Sequence, residues 1–218
     1  MRIHALLFFL FLSHEALALY GARPATDNRH LVKLAVAEEV FCQGVAVTAT
    51  KVLTAGHCIE GMGLKLRNTS RFLTYYPESV TVTTAAEEVR ARAITIAPTY
   101  FDAAGIEAED LALIELSRPL RTVEILPLAA GADLVSGAVL LLTAGKKEAP
   151  TKLLKKARGL ESYVLMSDGS KSGVCQGDSG GAILLVKNGK RYLAGIIAVQ
   201  AEGCARRHTI SYYPRTSF

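Results

Sequence analysis

The chain has 218 residues, with 25 Lys and Arg against 20 Asp and Glu, four cysteines and no tryptophan. That length holds one compact unit of two small lobes and little more. The net charge of +5 is mildly basic, and its densest clusters, Lys146-Lys147 and the run 152–158 with Lys155-Lys156, lack interleaved aromatics and follow no nucleic-acid motif. A solvated face is therefore expected there, and a nucleic-acid partner is not.

The first element in the chain is a leader. Arg2 gives a positive start, residues 3–12 form a short apolar stretch, and Ala16-Leu17-Ala18 ends it with small residues at cleavage-site spacing. Residues 1–18 read as a secretory signal peptide. No stable membrane span is expected after its removal, since a spanning helix needs about 20 apolar residues; an uncleaved anchor is the alternative. Export, to the outside or to a periplasm, favours disulfides over metal for the four cysteines. There is no Cys-x-x-Cys pair and no histidine at ligand spacing, so neither a metal nor a cofactor is expected. Four cysteines allow three pairings.

Short β-rich runs follow at 31–36, 45–54, 80–84, 89–96, 111–116, 139–143, 183–186 and 192–199, separated by turn signals. This spacing predicts an all-β barrel or sandwich. Asn188-Gly189 between two runs predicts a tight hairpin, because both central residues of that turn need positive φ. Residues 117–122, with Pro119 among charges after an apolar strand, read as a linker between two lobes. Only 152–160 has a helical look beyond the leader. Asn68-Thr69-Ser70 is a glycosylation-type sequon.

Three segments carry reactive side-chain types. Leu53-Thr54-Ala55-Gly56-His57-Cys58 ends a β-rich run at a histidine among small residues. Glu109-Asp110-Leu111-Ala112-Leu113-Ile114 sets an aspartate at the mouth of an apolar strand. Asp102 and Asp133 are rival acids, but neither precedes an apolar strand that could carry it into a cleft. The third segment is Cys175-Gln176-Gly177-Asp178-Ser179-Gly180-Gly181, with three glycines in five residues. Glycine inside a strand or helix costs roughly 0.5–1 kcal/mol against alanine, so such a cluster needs a reason. A turn that aims amides outward beside an exposed hydroxyl supplies one: the amides hold a developing oxyanion while the hydroxyl attacks. Singly, these segments read as a structural histidine, a turn aspartate and a surface loop. Together they have the composition of a nucleophile, its base and a carboxylate that orients the base.

In that order along the chain, the three segments resemble the blocks of the chymotrypsin/trypsin family of secreted serine endopeptidases. The likeness is specific in the blocks and faint across 131–171. The resemblance implies two antiparallel six-stranded β-barrels with the active site in the cleft between them. An N-terminal barrel over 19–120 would carry His57 and Asp110, and a C-terminal barrel over 121–218 would carry Ser179. His57 would be the general base, Asp110 its orienter and Ser179 the nucleophile, with the amides of Gly177 and Ser179 as the oxyanion hole. The same resemblance selects the disulfides Cys42–Cys58 and Cys175–Cys204.

Cleavage after Ala18 would start the mature chain at Leu19-Tyr20-Gly21, which is similar to the family's activated N-terminus. The Leu19 ammonium would then pair with Asp178 and order the oxyanion loop, with signal peptidase itself producing the active form. Gly173 falls at the base of the specificity pocket, where trypsin-like relatives carry an aspartate, and Ala198, Val199, Gln200 and Ser211 fall on its walls. Small or medium uncharged side chains are the expected preference, rather than Arg or Lys. Ala182 departs from the family's usual proline, the stretch 125–173 is short and lacks a further cysteine pair, and the chain stops at Phe218 without the family's C-terminal helix. A monomeric endopeptidase acting on proteins or peptides, open to protein inhibitors, is expected. The alternative is a weak or inactive homologue that acts as a binding protein.

Overall fold

The structure, a computed structural model, describes residues 19, 21–36, 38–60, 77–97, 110–153, 164–165, 172–198, 204–205 and 210–211. In chain order the first elements are β1 (Arg23–Pro24), β2 (Leu31–Val36), β3 (Glu39–Thr48), β4 (Lys51–Thr54), the short helix α1 (Gly56–Glu60), β5 (Val80–Thr83), β6 (Glu88–Ile96) and β7 (Ala112–Leu116). They are followed by β8 (Val139–Ala144), β9 (Lys147–Lys152), β10 (Val164–Leu165), β11 (Val174–Cys175), β12 (Ala182–Lys187), β13 (Lys190–Ile196), β14 (Cys204–Ala205) and β15 (Ile210–Ser211). The fold is all-β, as the sequence predicts. Among the described residues no helix is long and apolar enough to cross a membrane.

The first lobe is a closed barrel in the order β2-β3-β4-β7-β6-β5. Closure comes from β2 pairing back onto β5, with Leu34 opposite Val82. Alternation makes these strands: in β6, Val89 and Ala91 are buried while Glu88, Arg90 and Arg92 are exposed, the period of a half-buried strand. The inward set, including Leu34, Ala46, Val52, Val82 and Ile114, fills the barrel. The second lobe is a seven-stranded antiparallel sheet in the order β1-β9-β8-β12-β13-β15-β10, with a separate β11-β14 pair. Leu134, Leu140, Leu142 and Ile183 lie in its core.

The lobes meet through a third apolar cluster. Val45, Leu53, Leu111 and Leu113 from the barrel pack with Leu126, Ala182, Leu184, Leu193 and Ile196. This explains why β3 is buried continuously from Cys42 to Ala46. Cys42 and Ala46 belong to the barrel core and Val45 to the interface, so both faces of the strand are covered. Burying one such side chain contributes roughly 1.5–3 kcal/mol, and the interface thereby fixes the cleft above it.

Several expectations shift in detail. The run 45–54 is two strands, β3 and β4, joined by a turn at Ala49-Thr50. The turn at Asn188-Gly189 has φ of 53° and 72° and joins β12 to β13 with Lys187 opposite Lys190, as the sequence predicts. The linker 117–122 is docked on the barrel: Leu120 is buried, and its amide donates to Ala49 O at 2.8 Å. The charged stretch from Lys147 is not simply a solvated face. It forms β9, in which Glu148 is 1% exposed and accepts from Arg23 Nε at 2.9 Å. The helical reading of 152–160 meets strand at Lys152, and residues 154–160 lie outside the described set, as do 1–18, Asn68 and 212–218. Leu19 belongs to the core of the second lobe, and Arg23–Pro24 pairs with β9, so the start of this segment packs away from the barrel that follows it.

Candidate active site

Two neighbouring strands deliver the histidine and the aspartate to one end of the barrel. β4 ends at Thr54 directly opposite Ala112, the first residue of β7. The residues just after β4 and just before β7 therefore leave the barrel side by side. His57 lies in α1, where the Cys58 amide donates to Ala55 O at 3.2 Å and the Cys42–Cys58 disulfide ties the turn to β3.

Asp110 grips His57 twice. Its Oδ1 accepts from the His57 main-chain amide at 2.8 Å, and its Oδ2 lies 2.6 Å from His57 Nδ1. A carboxylate can only accept, so the ring proton sits on Nδ1 and leaves the Nε2 lone pair free. Ser179 Oγ lies 2.9 Å from that Nε2, and its hydroxyl donates to it. The Asp110 side chain is 4% exposed and that of His57 27%; the carboxylate is sealed while the ring faces the cleft. Ligand atoms of Cys42, His57 and Cys58 lie within 4.8 Å of one another, but the two sulfurs are bonded to each other and are not thiolates.

The serine loop is held from inside. The amide of Asp178 donates to Cys175 O, that of Gly180 to Ile197 O and that of Gly181 to Asp178 O. The amides of Gly177 and Ser179 donate to no acceptor among the described residues. Gly180 has φ of 81°, and a Cβ there would overlap the Gln43 carbonyl oxygen. No other residue type fits.

Asp178 is buried behind this loop. Its Oδ2 accepts from the Leu19 amide at 2.9 Å and from the Cys175 amide at 2.6 Å, while Oδ1 has no partner. Burial pushes its carboxyl up to about 6, although those two amides and the charge of Lys147 oppose the rise.

Of the remaining candidates, Gly173 and Ala198 are buried. Ser211 pairs through its backbone with Ile196 and Val164. Val199 and Gln200 lie outside the described residues, as does Asp102. Asp133 sits in an exposed turn, bonded to Lys187 at 2.7 Å. Cys175 is disulfide-bonded and faces Cys204 across the β11–β14 pair.

Two residues near the site carry no sequence motif. Gln43 makes four hydrogen bonds, three of them across the lobes to Ser179, Gly177 and Gly145 and one to Thr54 of its own barrel. His30, fully buried, reaches Thr143 of the other lobe at 3.0 Å. Gln43 falls outside the predicted run at 45–54, although β3 extends over it. No sequence signal marks His30.

A 47-residue stretch is 49% identical to the hepatocyte growth factor activator serine protease of Homo sapiens, covering 22% of this chain and 7% of that protein. The family model described as Trypsin matches residues 20–218, and the chain belongs to the trypsin family.

Proposed function

We propose that the protein is an exported serine endopeptidase that cleaves peptide bonds through an acyl-enzyme. The observation that carries this reading is the unbroken relay from the buried Asp110 carboxylate through His57 to Ser179 Oγ, with separations of 2.6 and 2.9 Å. Ser179 Oγ attacks the scissile carbonyl carbon as its proton passes to His57 Nε2. The C–N bond breaks when that proton moves to the leaving amine, which leaves an ester on Ser179. Water then gives a proton to His57 and attacks the ester, and the proton returns to Ser179. Asp110 stays ionised, holds the ring tautomer and offsets the imidazolium charge.

The amides of Gly177 and Ser179 are the oxyanion donors in this scheme. They are unspent, whereas the intervening and following amides are engaged within the fold. Removing one such donor typically costs on the order of a hundred- to a thousand-fold in rate. Leader cleavage after Ala18 would turn the Leu19 amide into an ammonium beside Asp178, whose unpartnered Oδ1 is the acceptor such a cation would satisfy. A buried carboxylate left without a cation is costly. N-terminal sequencing of the exported protein tests this step; a start well downstream of Leu19 would overturn it.

Gly173 is the proposed floor of the specificity pocket, with Ala198, Val199, Gln200 and Ser211 around it. The floor carries no charge, which favours uncharged side chains of small or medium size in protein and peptide substrates. The cysteine facing Cys175 is its proposed disulfide partner, so that Cys175–Cys204 braces the serine loop.

A fluorophosphonate probe should label the exported protein, and Ser179→Ala should abolish labelling and lower peptidase turnover on the order of a million-fold. Full peptidase activity in Ser179→Ala would overturn the assignment.

A further inference from the structure

Gln43 lies on β3, next to the Cys42–Cys58 disulfide, and is 9% exposed. Strand parity puts it on the same side as Val45, the side packed against the other lobe. All four of its polar groups are engaged. The main-chain amide donates to Ser179 O at 2.9 Å, and the main-chain carbonyl accepts from Thr54 Oγ1 at 2.7 Å. In the side chain, Nε2 donates to Gly177 O at 3.0 Å, and Oε1 accepts from the Gly145 amide at 2.5 Å. The side-chain amide has one orientation, because Gly145 offers only a donor and Gly177 O only an acceptor.

These contacts fall on two peptide planes that bracket the nucleophile. The plane joining Gly177 to Asp178 is held at its oxygen by Gln43 Nε2 and at its N–H by Cys175 O. The plane joining Ser179 to Gly180 is held at its oxygen by the Gln43 amide and at its N–H by Ile197 O. Between them lies the Asp178–Ser179 plane, whose N–H is one of the two unspent donors; the Gly177 N–H lies immediately before the first clamped plane. The Asp178–Ser179 plane is itself held, its oxygen accepting from the Gly181 amide. With both bracketing planes fixed, the Ser179 donor cannot turn away unless a clamp breaks, and the Gly177 donor is anchored by the fixed plane that follows it.

We propose that Gln43 is a positioning residue that holds the Gly177 and Ser179 amides in their oxyanion-binding orientation from the opposite lobe. It touches neither the substrate nor the reacting atoms. Its side chain spans three segments: β3, the serine loop and the β8–β9 turn at Gly145. Assembly of the cleft between the lobes is therefore coupled to assembly of the oxyanion site. This inference rests on the endopeptidase reading for its effect on rate, but its effect on the loop is independent of it.

The test uses Gln43→Ala and Gln43→Met, the second keeping side-chain bulk without either side-chain hydrogen bond. Gln43→Glu removes the donor to Gly177 O while keeping the acceptor for Gly145. Amide hydrogen exchange, which needs no turnover, is expected to speed up at least tenfold at Asp178 in all three, relative to strands of the barrel core. On a peptide substrate, kcat should fall about tenfold or more with KM within threefold. Affinity for a peptidyl boronic acid, which presents an oxyanion, should fall in parallel with kcat. Unchanged exchange at Asp178 would overturn the proposal whatever the activity. Equal losses in kcat and in global stability, with exchange rising evenly through the barrel, would also overturn it and leave a purely structural role. Faster exchange at Asp178 in the variants, with a parent that no fluorophosphonate labels, would sink the peptidase reading and leave the positioning of the loop standing.

Discussion

The main-chain nitrogen of Leu19 lies 2.9 Å from Asp178 Oδ2, across 159 positions of sequence. Both residues are buried. As long as Leu19 N is a peptide amide, no cation among the described residues is bonded to the carboxylate it meets. Leu19 also holds the left-handed backbone at φ 48°, which costs about 1–3 kcal/mol for a residue with a side chain. Cleavage before Leu19 would remove both penalties.

This gives a sign that can be measured. Burial raises the Asp178 carboxyl from 3.8 to about 6. Between those values the folded chain keeps a proton that the unfolded chain releases, so stability falls as pH rises through the window, by about 3 kcal/mol. In a chain uncut before Leu19, Asp178→Asn should raise the melting temperature at pH 7 and flatten the slope between pH 4 and 6. In a chain that begins at Leu19, the same substitution should lower the melting temperature. Thermal melts of both forms from pH 4 to 8 decide the matter, and the same sign in both would defeat the latch.

His30 supplies an opposing slope. Its Nε2–H donates to Thr143 Oγ1 across the lobes, its Nδ1 has no partner, and burial, reinforced by Arg191 and opposed by Asp27, brings it down from 6.5 to about 4. The unfolded chain takes up this proton below 6.5, and the folded chain refuses it until about 4. Stability is therefore full above 6.5 and is lost as pH falls toward 4, by about 3 kcal/mol. His30→Gln keeps a donor for Thr143 and should remove this loss. Urea titrations at pH 7.5 and 4.5 should find the variant less sensitive to acid than the parent; an equal loss in both would refute the assignment to His30.

Much of the framework was legible because it is local. Asn188-Gly189 announces its turn through backbone chemistry, and β2 and β6 announce themselves by alternation. The relay was legible because His57, Asp110 and Ser179 sit in short segments whose residue types fit one chemistry. What was hidden depends on contacts between distant segments. Glu148 reads as a surface charge until Arg23 and Thr26 are brought to it. The 45–54 run reads as one strand because the turn at Ala49-Thr50 carries no glycine or proline. Gln43 lies just before the predicted run at 45–54 and acquires a role only when the second lobe covers its face.

Two glycines with positive φ should respond very differently to a methyl group. Gly180, at φ 81°, would drive a Cβ into the Gln43 carbonyl, whereas Gly189, at φ 72°, has nothing within 4 Å. Gly189→Ala bears only the backbone penalty, about 1 kcal/mol. Gly180→Ala adds overlap with main chain that cannot move without opening the lobe interface, so a loss of about 3 kcal/mol or more is expected. It should also slow fluorophosphonate labelling, which Gly189→Ala should leave intact. Denaturant melts of the two variants give the comparison, and equal losses would show that the close approach at Gly180 is unimportant.

Gly173 offers a test of specificity that does not depend on finding the natural substrate. The position is buried, so Gly173→Asp introduces a buried carboxylate. Removing one partner of a buried ion pair typically costs about 3–5 kcal/mol, and a newly buried, unpaired charge should cost a comparable amount at neutral pH. If Gly173 is the floor of the pocket, a small aromatic amidinium should enter and restore much of that loss, by about 2.7 kcal/mol at a hundred times its Kd. The parent, with an uncharged floor, should gain no stability from the same compound. A peptide library should follow the same logic, with Arg and Lys disfavoured at the cleaved position in the parent and enriched at least tenfold in the variant. An amidinium that stabilises both proteins alike, or neither, would mean that the floor of the pocket lies elsewhere.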